Sequence, residues 1–574
     1  PWKNGKGDII RELADACKEF GLKLGIYLSP WDRNHPDYGK PEYITYFRNQ
    51  LTELLTNYGP VFEIWFDGAN GGTGYYGGAN ENRVIDRKTY YDWGNTYKLI
   101  RKLQPNIVIW NDGGDRGDLR WVGTEGGWVG ETNWSLLNDT GDVPYEMLHH
   151  GVENGNAWVP AEVNTSIRPE WFYHPGENDR VKTVSQLMET YYRSIGRNGS
   201  LLLNFPIDVR GLIHENDEKA ALGFAAEIKK AFAINLASGK KATASNVRGR
   251  SKEFSPAMTI DGNNNSYWAT DDSVTIASLT IDPGKPTTIN RFLVQEHIAL
   301  GQRVKRFNIE ALIAGQWKEL ISGTTIGYKR ILQFPAVSAT KFRLNITDAK
   351  GSPAISNIGL YNAPQILEPP TVIRAQNGEV KITPADKEST IYYTLDGTAP
   401  GPGSKKYTGP IPTDGKLQVK AIAYEKASRK SSPVTIAQFG VARKDWKIID
   451  IADDKSKAML DGDSFTTWHQ QAKTLPAELV IDLGHDENLS GFRYLPDQDL
   501  WNPGIITQYE FYVSADNKNW KLVDQGEFAN IKNNPLWQSK TFATEKARYI
   551  KIRALRTAEN NGRIGYAEID VIIR

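Results

Sequence analysis

Short apolar runs alternate with longer amphipathic stretches over residues 1–232. The apolar runs predict six strands, at Leu22–Leu28, Val61–Phe66, Ile107–Trp110, Leu119–Gly123, Trp158–Val163 and Leu201–Phe205. The amphipathic stretches predict helices at Lys3–Phe20, Pro41–Tyr58, Tyr90–Leu103 and Lys182–Gly196. Strands that alternate with helices favour a parallel sheet, and polar residues follow most of these strands. This pattern predicts a (β/α)8-type barrel with those residues on its active-site rim. Since a closed barrel has eight strands, we expect the first two units to lie outside this chain.

From about residue 236 the helical period disappears, and strands separated by turns rich in Gly, Asn, Asp and Pro follow. Two stretches resemble each other, Ala257–Trp268 and Ala458–Trp468, and each contains an Asp-Gly turn. They predict two copies of one β-sandwich. The predicted organisation is multidomain. The barrel takes residues 1–235, the sandwiches take 236–363 and 442–574, and a small immunoglobulin-like spacer takes 364–441.

Composition narrows the possible partners of this 574-residue chain. Its 69 Lys and Arg stand against 68 Asp and Glu, which excludes a strongly basic surface for nucleic acid. No apolar run reaches the roughly 18–20 residues of a membrane span. Because Cys17 is the single cysteine, the chain has no internal disulfide framework. The 17 Trp and 26 Tyr suit the flat faces of sugars, so we expect a neutral carbohydrate partner.

Three carboxylates are candidates for chemistry at the predicted rim. Asp67 follows the strand Val61–Phe66, Glu125 follows Leu119–Gly123, and Glu131 lies six residues further on. Two carboxyl groups on neighbouring strand ends are what glycoside hydrolysis uses. The sequence contains no Gly-x-Ser-x-Gly elbow, phosphate-binding loop or His-Glu-x-x-His motif that would indicate another reaction. A strand-end Asp that only caps the next element is the structural alternative for Asp67.

Four segments in order, Gly21–Asp32, Glu63–Ala69, Arg120–Glu125 and Ser166–His174, resemble the α-L-fucosidases of glycoside hydrolase family 29. The resemblance covers about residues 1–235. The variants Trp-Phe-Asp-Gly-Ala and Trp-Val-Gly-Thr-Glu are similar to the subfamily that prefers α-1,3 and α-1,4 fucosyl branches, as in Lewis-type glycans, over simple aryl fucosides.

The resemblance implies a retaining mechanism that needs no cofactor. Asp67 is expected to be the nucleophile and Glu125 the acid/base, with Glu131 as the competing acid/base. The substrate-binding residues that the resemblance implies are Tyr27, Trp65, Trp171, Arg168, Glu162, Trp31 and Asp32. For Arg168 a structural ion pair is an equal alternative. For Trp31 and Asp32, which could meet the leaving sugar, a solvated loop is the favoured alternative.

The family's paired histidines have no counterpart in this chain. His149 and His150 do not substitute for them, because they lie in a predicted helical stretch and are expected on the surface.

The two sandwiches resemble the discoidin fold, also called the factor 5/8 type C fold, which includes family 32 carbohydrate-binding modules. The Asp-Gly turns match the place where that fold often holds a structural calcium ion. The best metal candidates are Asp461, Asp463, Thr466 and Glu568, and Asp261 and Ser266 are weaker ones. A plain turn without metal is the alternative.

Within the last sandwich, loop residues Arg493 and Trp501 are candidates for sugar binding. We expect the first sandwich to be a structural partner of the barrel, with the loop Glu296–Arg303 reaching the rim. The spacer resembles the small C-terminal domain of chitobiases.

The sequence therefore predicts a retaining exo-α-L-fucosidase that removes α-1,3- or α-1,4-linked fucose from Lewis-type glycans. The domain assembly suggests a periplasmic or extracellular location, and the expected partners are fucosylated glycans. The oligomeric state stays open. The alternatives are a carbohydrate-binding adhesin or lectin with an inactive barrel, and a glycosidase of other sugar specificity on the same barrel.

Overall fold

A computed structural model describes most of the chain in two compact units. The described residues are 2–68, 73–111, 116–138, 143–364, 366–384, 389–413, 415–426, 429–440, 442–449, 451, 453–464, 466–498, 504–529, 531–532, 535–559 and 561–574. The first unit contains residues 1–167, 188–207 and 225–363, and the second contains residues 168–187, 208–224 and 364–574.

Six parallel strands form two three-stranded sheets in the barrel region. They are β1 (Leu24–Tyr27), β2 (Val61–Phe66), β3 (Val108–Asn111), β4 (Arg120–Trp121), β5 (Ala161–Ser166) and β6 (Gly199–Asn204). β1 pairs with β2 and β2 with β3, while β4 pairs with β5 and β5 with β6. A parallel bridge between Trp110 and Leu119 connects β3 to the start of β4. The strands thus follow one another in chain order, as the sequence predicts for a barrel.

Two details differ from the sequence prediction. β5 begins at Ala161, whereas the apolar run predicts Trp158–Val163. Pro160 explains the difference, because proline has no N–H to donate and is not tolerated inside a central strand. The structure also contains a helix at Glu215–Ala231 that the sequence reasoning did not name. Its Ala-rich sequence gives it only a weak hydrophobic period.

The helices of this region are α1 (Ile9–Glu19), α2 (Pro41–Asn57), α3 (Trp93–Leu103), α4 (Tyr145–His150), α5 (Val184–Arg193) and α6 (Glu215–Ala231). α1 starts where the sequence provides a cap, since the Asp8 side chain accepts a hydrogen bond from the Arg11 N–H at 2.9 Å. Two short antiparallel strand pairs complete the region, a hairpin of Gly74–Tyr76 with Glu81–Arg83 and a pairing of Leu136–Leu137 with Ala157–Trp158.

The two faces of β2 separate core from site. Ile64 and Phe66 are fully buried, and the Phe66 ring lies 5.1 Å from that of Trp93 on α3. Glu63 and Trp65 alternate with them and therefore point to the opposite face, which is the interior of the barrel. Asp67 continues this interior series just beyond the strand.

The first sandwich has one sheet of five strands and one of four. The five-stranded sheet has the order Lys241–Ala244, Ala277–Asp282, Phe342–Ala349, Val304–Ile313 and Gln316–Gly323. The four-stranded sheet has the order Trp268–Ala269, Ala354–Tyr361, Thr287–Glu296 and Arg330–Ala339. Their inner faces share a core that includes Trp268, Phe292 and Phe342, all fully buried.

The second unit contains the spacer and the last sandwich. The spacer strands are Thr371–Arg374, Glu379–Thr383, Thr390–Thr394, Lys405–Lys406, Ile411–Pro412, Leu417–Glu425, Lys430–Ser431 and Thr435–Phe439. The sandwich strands are Lys447–Ile449, Trp468–Gln471, Ala477–Leu495, Ile506–Ser514, Lys521–Glu527, Gln538–Thr557, Arg563–Tyr566 and Glu568–Ile573. In the sandwich core, the rings of Phe492 and Phe511 stack at 4.0 Å.

Short 3-10 turns lie at Trp2–Gly5, Pro175–Arg180, Arg248–Arg250, Lys252–Phe254, Pro256–Thr259, Ile298–Leu300 and Asp454–Leu460. Within the described part of the chain, no helix is both long enough and apolar enough to cross a membrane.

Candidate active site

Asp67 stands at the carboxyl end of β2 and is held from β1. The Tyr27 hydroxyl donates a hydrogen bond to Asp67 Oδ2 at 2.7 Å. The Ser29 hydroxyl donates to the Asp67 backbone carbonyl, also at 2.7 Å. Gly68 follows with φ +72°, a conformation that favours glycine and lets the chain leave the strand sharply. The carboxylate is thus oriented on the rim by its neighbouring strand, as a nucleophile requires.

Trp65 lies directly beneath Asp67 and is held on three sides. Its ring stacks on Tyr27 at 5.5 Å and on Trp110 at 3.7 Å. Its indole N–H donates a hydrogen bond to Glu162 Oε1 at 2.9 Å. The structure thus brings together four of the predicted site residues, namely Tyr27, Trp65, Asp67 and Glu162.

A second carboxyl group, Glu63, lies beside Glu162 in the interior. Burial, and then the charge of Glu162, raise the pKa of Glu63 to about 8. Burial also raises the pKa of Glu162, although hydrogen bonds from Trp65 and Glu63 oppose this shift. The pair therefore retains a proton at neutral pH. Sequence reasoning did not single out Glu63, but the alternation Glu63, Trp65, Asp67 on one face of β2 was a signal that could have found it.

Glu125 and Glu131 have different surroundings. Glu125 is half-buried and precedes Gly126 and Gly127. Glu131 forms ion pairs with Arg197 and Arg330. Burial tends to raise the pKa of Glu131, but the two guanidinium groups outweigh it and hold that pKa below its usual range. A carboxylate kept ionised in this way is poorly suited to donate a proton, which favours Glu125 as the acid/base.

Trp31 and Asp32 lie on the loop after β1. Trp31 is 41% exposed, and its ring lies so close to Gly68 that a Cβ there would be 3.2 Å from it. Asp32 Oδ1 accepts hydrogen bonds from the N–H groups of Asn34 and His35 at 2.9 and 3.0 Å. Asp32 therefore stabilises its own loop, while Trp31 presents a ring to solvent.

Arg168 and Trp171 belong to the second unit. Arg168 is 1% exposed, and its Nε donates to both carboxylate oxygens of Asp217 at 3.0 and 2.8 Å. Its guanidinium also lies 4.8 Å from the centre of the Tyr173 ring. The structure thus contains the ion pair that the sequence reasoning held as the alternative for Arg168. Asp217 was not singled out from sequence. A contact of Arg168 or of the partly buried Trp171 with sugar stays a prediction.

His149 corrects one sequence expectation. α4 ends at His150, which is exposed as expected. His149, however, is 1% exposed and its ring stacks on Trp128 at 4.7 Å. Burial lowers the pKa of His149 to about 4, so the ring is neutral at physiological pH. The surface prediction was wrong because a six-residue helix does not reveal from sequence which side packs inward.

The loop Glu296–Arg303 of the first sandwich binds the barrel region through Gln302. The Gln302 amide nitrogen donates to the Asn133 carbonyl, and its oxygen accepts from the Ser135 N–H, both at 2.8 Å. This agrees with a structural partner. The contact lies at residues 133–135, eight to ten residues beyond Glu125.

The four predicted metal residues lie together in the last sandwich. The Thr466 hydroxyl donates to Asp461 Oδ2 at 2.8 Å, and the Asp463 N–H donates to Asp461 Oδ1 at 2.8 Å. Glu568 accepts from the Gly462 N–H at 2.6 Å and pairs with the Arg443 guanidinium. Among the described residues, no group of three or more His, Cys, Asp or Glu is arranged to hold a metal ion. These residues mainly satisfy one another, and Arg443 supplies the positive charge that calcium would bring to Glu568.

Of the two predicted sugar-binding residues of this sandwich, Trp501 lies outside the described residues. Arg493 does not lie on a loop as expected. It is part of the strand Ala477–Leu495, opposite Asp570, and its guanidinium packs 4.5 Å from the Trp537 ring centre. Burial lowers the pKa of Arg493. The loop placement was wrong because residues 485–495 continue a strand that the sequence divides with Gly and Asp, and a sugar contact of Arg493 stays a prediction.

Comparison with known proteins identifies the same regions. Residues 2–229 match the family model for α-L-fucosidases. Residues 241–359 and 449–569 each match the F5/8 type C domain, and residues 380–439 match the Fn3 associated domain.

Several relatives are similar over most of their own length. A putative α-L-fucosidase 1 of Oryza sativa subsp. japonica is 39% identical over 63% of this chain and 68% of its own. The crystal structure of a glycoside hydrolase 29 family member from an unknown rumen bacterium is 42% identical, covers 100% of this chain and 83% of its own, and has a TM-score of 0.56. A Ruminococcus gnavus GH29 fucosidase in complex with fucose is 30% identical over 63% of this chain and 76% of its own, with a TM-score of 0.54.

Proposed function

The chain belongs to the α-L-fucosidases of glycoside hydrolase family 29, and from this premise we propose that it is a retaining exo-enzyme with Asp67 as nucleophile and Glu125 as acid/base. The observation that supports this proposal best is the 2.7 Å hydrogen bond from Tyr27 to Asp67 at the carboxyl end of β2. Active sites of barrel enzymes lie at that end of the strands. The substrates of α-L-fucosidases are fucosylated glycans.

The reaction proceeds in two displacements. In the first, Asp67 attacks the anomeric carbon of fucose, the glycosidic C–O bond breaks, and Glu125 gives its proton to the departing oxygen. In the second, Glu125 takes a proton from water, the water oxygen attacks the same carbon, and the ester bond to Asp67 breaks. Fucose leaves with its original anomeric configuration, and both carboxyl groups return to their starting states.

Tyr27 and Trp65 prepare the nucleophile for this sequence. The Tyr27 hydroxyl holds Asp67 Oδ2, which leaves the other carboxylate oxygen for attack. The Trp65 ring packs between Tyr27 and Trp110 and supports Tyr27, and a contact of its remaining edge with the C6 methyl group of fucose stays a prediction of the resemblance. Trp31 is a surface for the leaving sugar, since its exposed ring lies on the loop next to Asp67. The roles of Trp171 and Arg168 at fucose stay predictions of the resemblance.

Two sequence segments and the appended binding modules bear on the substrate and on the location of the enzyme. The Trp65-Phe-Asp-Gly-Ala segment and the Trp121-Val-Gly-Thr-Glu segment favour α-1,3- and α-1,4-linked fucose in Lewis-type glycans. Binding modules appended to a glycan-cleaving enzyme favour action in the periplasm or outside the cell. Catalysis uses carboxyl groups alone and no cofactor.

Fucose release from a Lewis trisaccharide tests the assignment. We expect Asp67→Ala and Glu125→Gln each to lower kcat by at least about 1,000-fold, because the loss of a nucleophile or of an acid/base in other hydrolases lowers the rate on this scale. Glu131→Gln is the matched control, since it changes a carboxylate of the same segment and should lower the rate by less than about three-fold. Wild-type rates in Asp67→Ala and Glu125→Gln would refute the assignment. A severe loss in Glu131→Gln with an active Glu125→Gln would exchange the two roles.

Azide rescue tests the nucleophile separately. In Asp67→Gly a small anion has room to attack the anomeric carbon in place of the carboxylate, so azide should restore turnover and form a fucosyl azide. Recovery without that product would contradict covalent catalysis by Asp67. Binding of Lewis glycans by a wild-type protein that releases no fucose would favour the adhesin alternative instead.

A further inference from the structure

Two carboxyl groups in the barrel interior have no part in the two displacements. Glu63 lies on β2, two positions before Trp65, and Glu162 lies on β5. Glu162 is 4% exposed, and Glu63 Oε1 is buried without a hydrogen bond to any described residue. Burial of two carboxyl groups side by side costs free energy, because an ionised acid loses its hydration and two like charges repel each other.

The bonding around the pair explains how this cost is met. Glu162 accepts a hydrogen bond from the Trp65 indole N–H at 2.9 Å, and Glu63 is near enough for the two acids to shift each other's pKa. Burial raises the pKa of both acids, and the charge of Glu162 raises that of Glu63 further, so the pair keeps one proton at neutral pH. Among the described residues, the charged group that acts on Glu63 is Glu162, and the groups that act on Glu162 are Trp65 and Glu63. The pair therefore carries one proton and one negative charge.

A continuous path leads from this pair to the nucleophile. Glu162 fixes the edge of Trp65, whose ring is stacked against Trp110 on one side and Tyr27 on the other. Tyr27 in turn donates to Asp67. A tilt of the Trp65 ring would thus move the hydroxyl that orients the nucleophile.

We propose that Glu63 and Glu162 share one proton and act as positioning residues that hold Trp65, and through Tyr27 the carboxylate of Asp67, in the reacting orientation. This inference rests on the proposed role of Asp67 as nucleophile. A contact of Glu162 with a fucose hydroxyl stays a separate prediction of the resemblance.

The proposal has a signature in the dependence of rate on pH. The pKa of Glu63 is raised to about 8 by burial and by Glu162, so the shared proton leaves above that pH. The two carboxylates then repel each other, because Glu63 has lost the proton that it shared with Glu162. Glu162 moves away, and the indole N–H of Trp65 loses its acceptor. Activity should therefore fall above pH 8 through this pair, in addition to any fall caused by ionisation of the acid/base.

The test uses the full chain and an aryl fucoside with a good leaving group, because its departure needs no proton from Glu125. The proposed specificity makes this a slow substrate, so all variants are compared on it alone. For the wild type, kcat should fall above about pH 8. Glu63→Gln keeps an N–H donor toward Glu162 but cannot ionise, so kcat at pH 6–7 should stay within about three-fold of the wild type and the alkaline fall should disappear. Glu162→Gln removes the charge that raises the pKa of Glu63, so the fall should begin at least half a pH unit lower. Glu53→Gln, an exposed position on α2, is the control and should reproduce the wild-type profile.

A purely structural role would not remove the alkaline fall in one variant and move it to lower pH in the other. An unchanged alkaline midpoint in Glu63→Gln would overturn the inference, and so would parallel shifts in both variants. If Glu63→Gln does not fold, the direction of the shift in Glu162→Gln decides alone. The proposed function is tested separately, because Asp67→Ala would then still be inactive, whereas an active Asp67→Ala would remove the premise itself.

Discussion

The two sandwiches share a fold but solve the same electrostatic problem differently. Both match the F5/8 type C domain, and both contain one deeply buried glutamate with a pKa raised to about 7 by burial, Glu296 in the first and Glu568 in the last. Glu296 is satisfied by backbone, since it accepts from the N–H groups of Arg303, Val304 and Gly327. Glu568 is satisfied by the Gly462 N–H and the Arg443 guanidinium.

These partners show what each acid does. Glu296 fixes the backbone next to Gln302, whose amide binds Asn133 and Ser135 of the barrel region. It therefore shapes a junction within the first unit. Glu568 instead joins the Asp461 turn to Arg443 inside its own sandwich. Two copies of one fold can therefore use a buried glutamate in different ways, because its role depends on the loops around it.

The largest expected effect comes from breaking the junction of the first sandwich. Gln302→Ala leaves the buried Ser135 N–H without its acceptor and removes the shorter of the two hydrogen bonds to the Asn133 carbonyl, which keeps Asn198 Nδ2 at 3.3 Å. We expect a loss of about 4 kcal/mol in the free energy of unfolding. Urea unfolding measures it. The control in the last sandwich is Gln498→Ala, an exposed amide that donates to the Pro496 carbonyl, with an expected loss of about 0.5 kcal/mol. Equal small losses would show that Gln302 does not join the two regions.

The next effect concerns pH. A folded-state pKa of Glu568 near 7, against about 4.3 in the unfolded chain, means that the folded protein keeps a proton which the unfolded protein releases. The contribution to stability is therefore fully present below about pH 4 and is lost as the pH rises to about 7. We expect the decline from this one group to be about 3 kcal/mol. Glu568→Gln is a neutral isostere of the protonated acid, so it should match the wild type at low pH, lack this part of the decline, and be the more stable of the two above about pH 7.

Glu296→Gln extends the same measurement to the first sandwich. The part of the fall in stability with rising pH that Glu296 causes should disappear in this variant. The variant should also be less stable at every pH, because its amide NH2 would face a backbone N–H group that needs an acceptor. A decline that both variants retain would mean that neither glutamate holds the proton.

A smaller effect is expected at the two Asp-Gly turns. Ser266 donates to Asp261 at 2.6 Å, just as Thr466 donates to Asp461, and the backbone N–H of Asn263 donates to Asp261 at 2.8 Å. Asp261→Ala and Asp461→Ala should each cost about 1–2 kcal/mol, because each removes two or three hydrogen bonds of a partly exposed turn. A much larger loss in Asp461→Ala would show that its turn depends on more than these bonds.

The smallest expected effect is stabilisation by calcium, which should depend on one of the two Asp-Gly turns and not on the other. The prediction of a structural calcium ion applies first to the last sandwich, whose turn offers Asp461 and Asp463, whereas the first offers Asp261 and Asn263. Since Arg443 already compensates Glu568, we expect calcium at several times its Kd to stabilise the protein by only about 1 kcal/mol. Thermal unfolding in calcium and in EDTA measures this shift, which Asp461→Ala should abolish and Asp261→Ala should retain. Identical curves in calcium and EDTA would contradict the calcium prediction.

Much of the architecture follows from local pattern. Apolar runs predicted all six barrel strands, and the displaced start of β5 is explained by Pro160 alone. The place of Asp67 at the end of β2 also follows from the run that ends at Phe66. The pattern failed where a position depends on packing between distant segments, as for the buried His149 and for Arg493 on its strand.

The sequence by itself determined the strands, the repeat of the sandwich and the acidic residue at the end of β2, because these depend on the period of neighbouring side chains. Only the tertiary structure decided which carboxyl groups keep a proton. Glu162 meets a strand 97 residues earlier in the chain through Trp65, and Glu131 meets Arg330 199 residues later. A pKa depends on burial and on the charges nearby in space, and both arise only when distant segments come together.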